Sequence, residues 1–244
     1  KIFYKSNEEN PISSFNKIAF RNISFKYKKE SKPVLDNVTI DFNKGEKIGI
    51  IGETGSGKST FLDILMGLII PTHGSLCIDD LPVNTSNSGS WQRFISHVPQ
   101  YIFLTDATIA ENIAFGIPLK DIDITKVKKA AERAQISETI ELLDKKYFSN
   151  VGERGTKLSG GQIQRIGLAR ALYKESDIII LDEATSALDS NTESSVMQSI
   201  NEGIEEITLF IVAHRLSTLK NCTRIIKIED GKISYSGSYE NIPT

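Results

Sequence analysis

The stretch GETGSGKST, residues 52–60, is spaced as G-x-x-x-x-G-K-[ST]. Gly52, Gly55 and Gly57 alternate with Glu53, Thr54 and Ser56, and Lys58, Ser59 and Thr60 follow. Residues of these types can cradle an anion. Glycines let successive backbone N–H groups curl around phosphate oxygens with no Cβ in the way. A helix beginning at the end of the loop adds the positive end of its dipole. Lys58 then reaches β- and γ-phosphates, and the Ser59 hydroxyl can meet Mg2+. A glycine-rich turn before any helix has a similar composition. Here the apolar run EKIGIIG precedes the loop and the helix-like STFLDILMGL follows it, the strand–loop–helix context that a phosphate loop requires.

A second stretch, IIILDEATSALD at residues 178–189, closes an apolar run with two acids. Asp182 suits a Mg2+ carboxylate, and Glu183 suits a general base acting on water in front of a γ-phosphate. Acids capping a strand in solvent are common, so the pair takes its meaning from the phosphate loop in the same chain. Asp189 suits a role in ordering the loop between sites. Three further residues each stand beside a plainer alternative. Gln100, after the short run ISHV, can ligate Mg2+ or orient water, or be an ordinary surface amide. His214, ending TLFIVAH, can aim an N–H at a γ-phosphate, or be a satisfied strand-end histidine. Tyr27, ending SFKY, can stack on a base or be a surface tyrosine on an edge strand. A third stretch, KLSGGQIQRIG at residues 157–167, sets Ser159, Gly160, Gly161 and Gln162 at the start of a predicted helix. A hydroxyl and N–H groups would point outward there from a positive helix end, with no acid, base or nucleophile beside them.

These residues need elements to hold them. A length of 244 residues suffices for one large domain or two small ones. Hydrophobic residues make up 39% and charged ones 25%, ordinary for a globular protein. A net charge of −2 gives no global field for nucleic acid or an anionic membrane, so no nucleic-acid partner is expected. Cys77 and Cys222 are expected as reduced thiols, since two cysteines make no disulfide framework. The most apolar run, FLDILMGLII, is too short to span a bilayer and carries Asp63. Polar residues 1–16 read as a linker entering the domain. KIAFRNISFKY and VLDNVTIDF alternate apolar and polar residues, and GSLCIDD is similar, which predicts an antiparallel sheet with one solvated face. EKIGIIG, DIIILDE and TLFIVAH are nearly continuous apolar runs, which predicts parallel strands covered on both faces. KVKKAAERAQ and SETIELLDKK predict a helical insertion between Thr108 and Lys157.

With the phosphate loop, LSGGQ, LDEATSALD and AHRLS in that order, the chain resembles the ATP-binding cassette (ABC) ATPase domain, from roughly Asn16 to the C terminus. The resemblance implies a fold of class α/β: a P-loop NTPase (RecA-like) parallel core, an antiparallel β subdomain and a helical subdomain at approximately residues 101–170. It implies ATP and Mg2+ as ligands. Tyr27 matches the adenine-stacking aromatic and Gly52–Thr60 the phosphate loop. Gln100 matches the glutamine that meets Mg2+ and lies against a transmembrane coupling helix. Ser159, Gly160, Gly161 and Gln162 match the signature motif, Asp182 and Glu183 the Mg2+ acid and the base, Asp189 the inter-site aspartate and His214 the switch histidine. None of these is substituted; departures fall at variable positions such as Ile163.

VGERGTKLSGGQ and DATIAENIAFG are similar to exporter-type cassettes, in which the ATPase domain follows a transmembrane domain in one chain. Residues 1–16 would then be the linker from that domain, and residues 17–244 the ATPase. The passage GLIIPTHGSLCIDDLPVNTSNSGSWQRFISHVPQ is similar to bacterial lipid-linked oligosaccharide flippases. The resemblance further implies a second nucleotide-binding domain as partner in a head-to-tail dimer, and a place on the cytoplasmic face of the cell membrane. The outward-facing signature would serve the ATP held by the other subunit. An importer ATPase subunit and a soluble cassette protein without a transport role remain as alternatives.

Overall fold

A computed structural model of the chain describes residues 10–28, 30–202, 207–213 and 215–243. His214 and the first part of the expected 1–16 linker lie outside the described residues. The chain divides into two compact units, Lys1–Ile95 with Glu206–Thr244, and Ser96–Glu205. Parallel and antiparallel strands and helices are all present, the mixed α/β architecture expected.

In the first unit, β1 (Lys17–Phe25) pairs antiparallel with β2 (Leu35–Asn43). On its other side it pairs antiparallel with β4 (His73–Ile78), which turns into the two-residue β5 (Leu81–Pro82). Strict alternation fails in β1, where Ile18, Ala19 and Phe20 are all buried. Ala19 pairs with Asp41 of β2 and lies between Lys17 and Arg21, whose side chains converge on that aspartate at 2.6 and 2.5 Å.

The second sheet of this unit is built on β3 (Lys47–Ile51), which pairs parallel with β8 (Thr208–Val212) on one side and β9 (Arg224–Glu229) on the other. β10 (Lys232–Gly237) returns antiparallel beside β9. The sequence reading passes over this last hairpin. Its loop is Asp230–Gly231, with φ of +47° and +75°, the two-residue type I′ geometry that an Asp-Gly pair favours.

Helix α1 (Lys58–Leu65) follows the phosphate loop, and α2 (Ser88–Gln92) is a single short turn. The Trp91 indole donates to the Leu65 carbonyl at 2.7 Å, satisfying an end group of α1. Four aromatic rings join the two sheets through α1. Phe61 of α1 stacks on Phe20 of β1 at 4.3 Å, and Phe42 of β2 meets Phe61 at 6.2 Å and Phe210 of β8 at 5.1 Å. All four are fully buried.

In the second unit β7 (Ile178–Asp182) lies beside β6 (Ile95–Val98). Helices α3 (Ile109–Ile113), α4 (Ile124–Arg133), α5 (Ser137–Glu141), α6 (Gly160–Lys174) and α7 (Ser190–Glu202) complete it, with α6 packed on both α3 and α4. Three of these helices start on a polar cap: Thr108 with Glu111 for α3, Asp123 for α4, Ser159 with Gln162 for α6. α5 is shorter than SETIELLDKK suggests. It stops at Glu141, and the chain turns through Lys146–Phe148 while Leu142 faces solvent.

Phe61→Ala empties the centre of the ring cluster and is expected to cost roughly 3–5 kcal/mol of stability, read from urea unfolding. A loss below about 1 kcal/mol would mean the four rings do not carry the packing of this unit.

Candidate functional site

The phosphate loop leaves β3 at Gly52 and reaches α1 through Gly55 and Gly57, at φ of +83° and +110°. L-residues with a Cβ rarely adopt such angles. At Gly57 there is also no room: an added Cβ would lie 2.8 Å from the Val34 carbonyl oxygen and 2.9 Å from Leu35 Cδ2. At Gly55 it would meet nothing within 4 Å. The β9–β10 turn backs the loop. The Gly231 N–H donates to the Ser56 carbonyl at 3.0 Å, and the Asp36 N–H donates to the Gly231 carbonyl at 2.9 Å.

Lys58 Nζ donates to the carbonyls of Gly52 at 2.7 Å and Glu53 at 2.8 Å, tying the loop across its mouth. Helix α1 has no acid in its first turn and, unlike α3, α4 and α6, no side-chain cap. Its first N–H groups therefore face outward beside an ammonium. The Ser56 hydroxyl is buried and finds no hydrogen-bond partner. An orphaned hydroxyl, an uncapped helix start and a lysine form a cradle that phosphate oxygens would complete.

Tyr27 belongs with this loop. Its hydroxyl lies 3.1 Å from Thr60 Oγ1, and its ring meets Phe25 edge-on at 4.9 Å. Held at both ends yet 64% exposed, the ring presents an open face for stacking.

In the second unit β7 ends at Asp182, and Glu183 follows at φ +53°. Gln100 Nε2 donates to Glu183 Oε2 at 2.6 Å, so this pair, far apart in sequence, meets. The Gln100 amide thereby turns its donor end to the carboxylate. Asp189 binds the start of α7: Oδ1 accepts from the Asn191 and Thr192 N–H groups at 3.1 and 3.0 Å, and Oδ2 accepts from the Thr192 hydroxyl at 2.6 Å. These bonds, the Thr192 hydroxyl foremost, hold its carboxyl below the usual range. Asp189 thus orders the first turn of α7.

Ser159 and Gln162 satisfy one another. The Ser159 hydroxyl accepts from the Gln162 N–H at 3.3 Å, and Gln162 Oε1 accepts from the Ser159 N–H at 2.8 Å. The hydroxyl proton of Ser159 stays available to an outside acceptor. Gly160 has open space around it, and Gly161 faces the Ala187 carbonyl. Sequence reasoning passes over Gln164, two residues further along α6. It is buried and its amide joins the 186–187 segment. The signal was a glutamine at the position of a helix face that continues with Leu168 and Ala171, both buried.

A family profile described as "ABC transporter" matches residues 35–186. Among curated proteins, an ATP-dependent lipid A-core flippase of Cupriavidus metallidurans is 35% identical over 226 residues, covering 92% of this chain and 38% of that protein. A beta-(1-->2)glucan export ATP-binding/permease protein of Rhodopseudomonas palustris is 39% identical, covering 92% of this chain and 37% of that protein. A leukotoxin export ATP-binding protein of Aggregatibacter actinomycetemcomitans is 40% identical, covering 92% of this chain and 32% of that protein. The chain thus spans less than half the length of the relatives it matches. Among solved structures, a bacterial Atm1-family ABC exporter with ATP bound superposes with a TM-score of 0.89 at 32% identity, covering 96% of this chain and 41% of that one.

The two loop glycines separate backbone strain from crowding. Gly55→Ala is expected to lower stability by only about 1 kcal/mol and to keep nucleotide binding. Gly57→Ala, with the Val34 carbonyl in its way, is expected to weaken ATP binding at least tenfold in an equilibrium titration. Equal effects of the two would sink the packing account of the loop.

Proposed function

Because the chain belongs to the ABC transporter family, we propose that it is the ATP-binding and ATP-hydrolysing part of an exporter, with residues 17–244 as the ATPase domain and residues 101–170 as its helical subdomain. The observation that carries this reading is the phosphate loop: an uncapped helix start, the Lys58 ammonium and the unpartnered Ser56 hydroxyl stand along one short segment, and Tyr27 bonds Thr60 next to it. ATP would lay its phosphates along Gly52–Thr60 and its adenine on Tyr27.

When bound, Mg2+ draws charge off the β- and γ-phosphates, and the residues that would hold it are Ser59, Gln100 and Asp182. A hydroxyl, an amide oxygen and a carboxylate would offer the hard oxygen donors that Mg2+ takes. Among the described residues no group of three or more His, Cys, Asp or Glu could hold a metal by itself. Glu183 takes the proton of the attacking water, oriented by its hydrogen bond from Gln100. Lys58 stabilises charge developing on the transferred phosphoryl group. His214 is assigned a similar part on its motif alone.

The signature residues Ser159, Gly160, Gly161 and Gln162 face the ATP of a second nucleotide-binding domain, and Asp189 lies between the two sites of that head-to-tail dimer. ATP-driven association and release would switch a transmembrane domain between inward- and outward-facing states. Tyr101 and Phe103, directly after Gln100 and 84% and 61% exposed, supply an apolar surface for that domain. No helix among the described residues is long and apolar enough to cross a membrane. As part of such a transporter, the domain would work at the cytoplasmic face, attached to membrane-embedded partners. The relatives' names, with lipid A-core flipping, glucan export and leukotoxin export, favour export over import.

Glu183→Gln is expected to bind ATP yet stall hydrolysis, accumulating an MgATP-dependent dimer on gel filtration. A variant that binds ATP tightly and stays monomeric counts against the sandwich or against Glu183 as the base. Lys58→Ala should weaken ATP binding at least tenfold in an equilibrium titration; unchanged affinity removes the cradle from the account.

A further inference from the structure

We infer that Gln164 is a positioning residue that fastens the Ser159–Gln162 motif to the loop carrying Glu183, so that a nucleotide met by the motif sets the place of the base. Gln164 lies on α6 within two residues of Gln162 and is 6% exposed. Both ends of its amide are engaged by one short segment. Nε2 donates to the Ser186 hydroxyl at 3.2 Å, and Oε1 accepts from the Ala187 N–H at 3.0 Å. The Ala187 carbonyl lies 3.3 Å from where a Cβ on Gly161 would stand. Ala187 is therefore held by α6 through its N–H, and its carbonyl lies close against Gly161.

A buried amide needs such partners, whereas an apolar side chain would fill the same space beside Leu168 and Ala171 without them. The polar choice at this place is explained by the loop it holds. That loop transmits displacement over a short, stiffened path. The Ser186 N–H donates to the Glu183 carbonyl at 3.2 Å, and the Leu188 N–H to the Thr185 carbonyl at 3.0 Å. The Thr185 hydroxyl donates to the buried Glu193 at 2.6 Å, and Asp189 closes the far end on α7. A shift of α6 at Ser159 thus reaches Ala187 through Gln164, and Glu183 through one turn of chain. This rests on the composite site proposed above: the motif reads the partner's ATP, Glu183 acts on the ATP of its own chain, and Gln164 couples the two hydrolysis events.

The test compares Gln164→Leu, which removes both bonds at similar size, with Gln164→Glu, which keeps both. In the latter the Ala187 N–H still has an acceptor and the Ser186 hydroxyl turns to donate. Gln164→Leu is expected to bind MgATP within about twofold of the parent chain, to lose about tenfold in kcat, and to lower the Hill coefficient of the rate against ATP towards 1. Gln164→Glu should recover kcat to within about threefold. If Gln164→Leu does not fold, Ser186→Ala removes the outer bond alone and should lower the Hill coefficient in the same direction. Parental kcat and cooperativity in Gln164→Leu, equal losses in the Leu and Glu variants, or a parent Hill coefficient of 1 each overturn the coupling. Failure of the Glu183→Gln chain to dimerise with MgATP overturns the composite site instead, so the two ideas fail by different readouts.

Discussion

The phosphate loop must turn its backbone N–H groups outward, and a loop that does so cannot satisfy itself. Left-handed residues at Gly55 and Gly57 open the cradle, yet they leave carbonyls and bare Cα atoms on the inner side. The rest of the first unit supplies what is missing. Val34, in the connection between β1 and β2, packs its carbonyl on Gly57, and the β9–β10 turn hydrogen-bonds Ser56 through Gly231. Lys58 closes the mouth on the Gly52 and Glu53 carbonyls. The aromatic cluster beneath keeps α1 fixed to both sheets, so the helix start does not drift from the turn that backs it.

The second unit meets a related demand by different means. Its functional segments are a helix start and a post-strand loop, and α6 supports both. Ser159 and Gln162 cap its first turn, Gln164 reaches from its buried face to Ser186 and Ala187, and Arg165 donates to the Gln135 carbonyl at 2.6 Å. Arg170 donates to the Asn112 and Phe103 carbonyls at 2.9 and 3.1 Å and stacks on Phe115. A helix of 15 residues thus organises loops on several sides through polar side chains set among apolar ones.

Strands of both sheets were legible because their patterns differ. β3, β7 and β8 read as unbroken apolar runs and are buried almost throughout, while β2 buries only Leu35, Val38 and Phe42. The phosphate loop and the acid pair were legible because their chemistry restricts residue type at fixed spacing. The backing of the loop was not, since Val34 and Gly231 act through main-chain atoms that carry no residue signal, although Asp230–Gly231 between two apolar runs is a hairpin mark. Asp189 was read for a part between sites, and its carboxylate caps α7, a duty that an acid at a helix start fulfils locally. Gln164 escaped because a glutamine is ordinarily a surface residue; only its helical register with Leu168 and Ala171 marks it as buried.

Glu183 sits at φ +53°, a conformation that costs a residue with a Cβ about 1 kcal/mol or more and costs glycine nothing. The chain thus carries backbone strain at the residue proposed as the base. Drift under selection for folding alone would favour glycine or asparagine there, and each step in that direction would harden the fold while emptying the site. If Glu183 is the base proposed above, a cassette freed from hydrolysis could relax this strain and become the more robust protein.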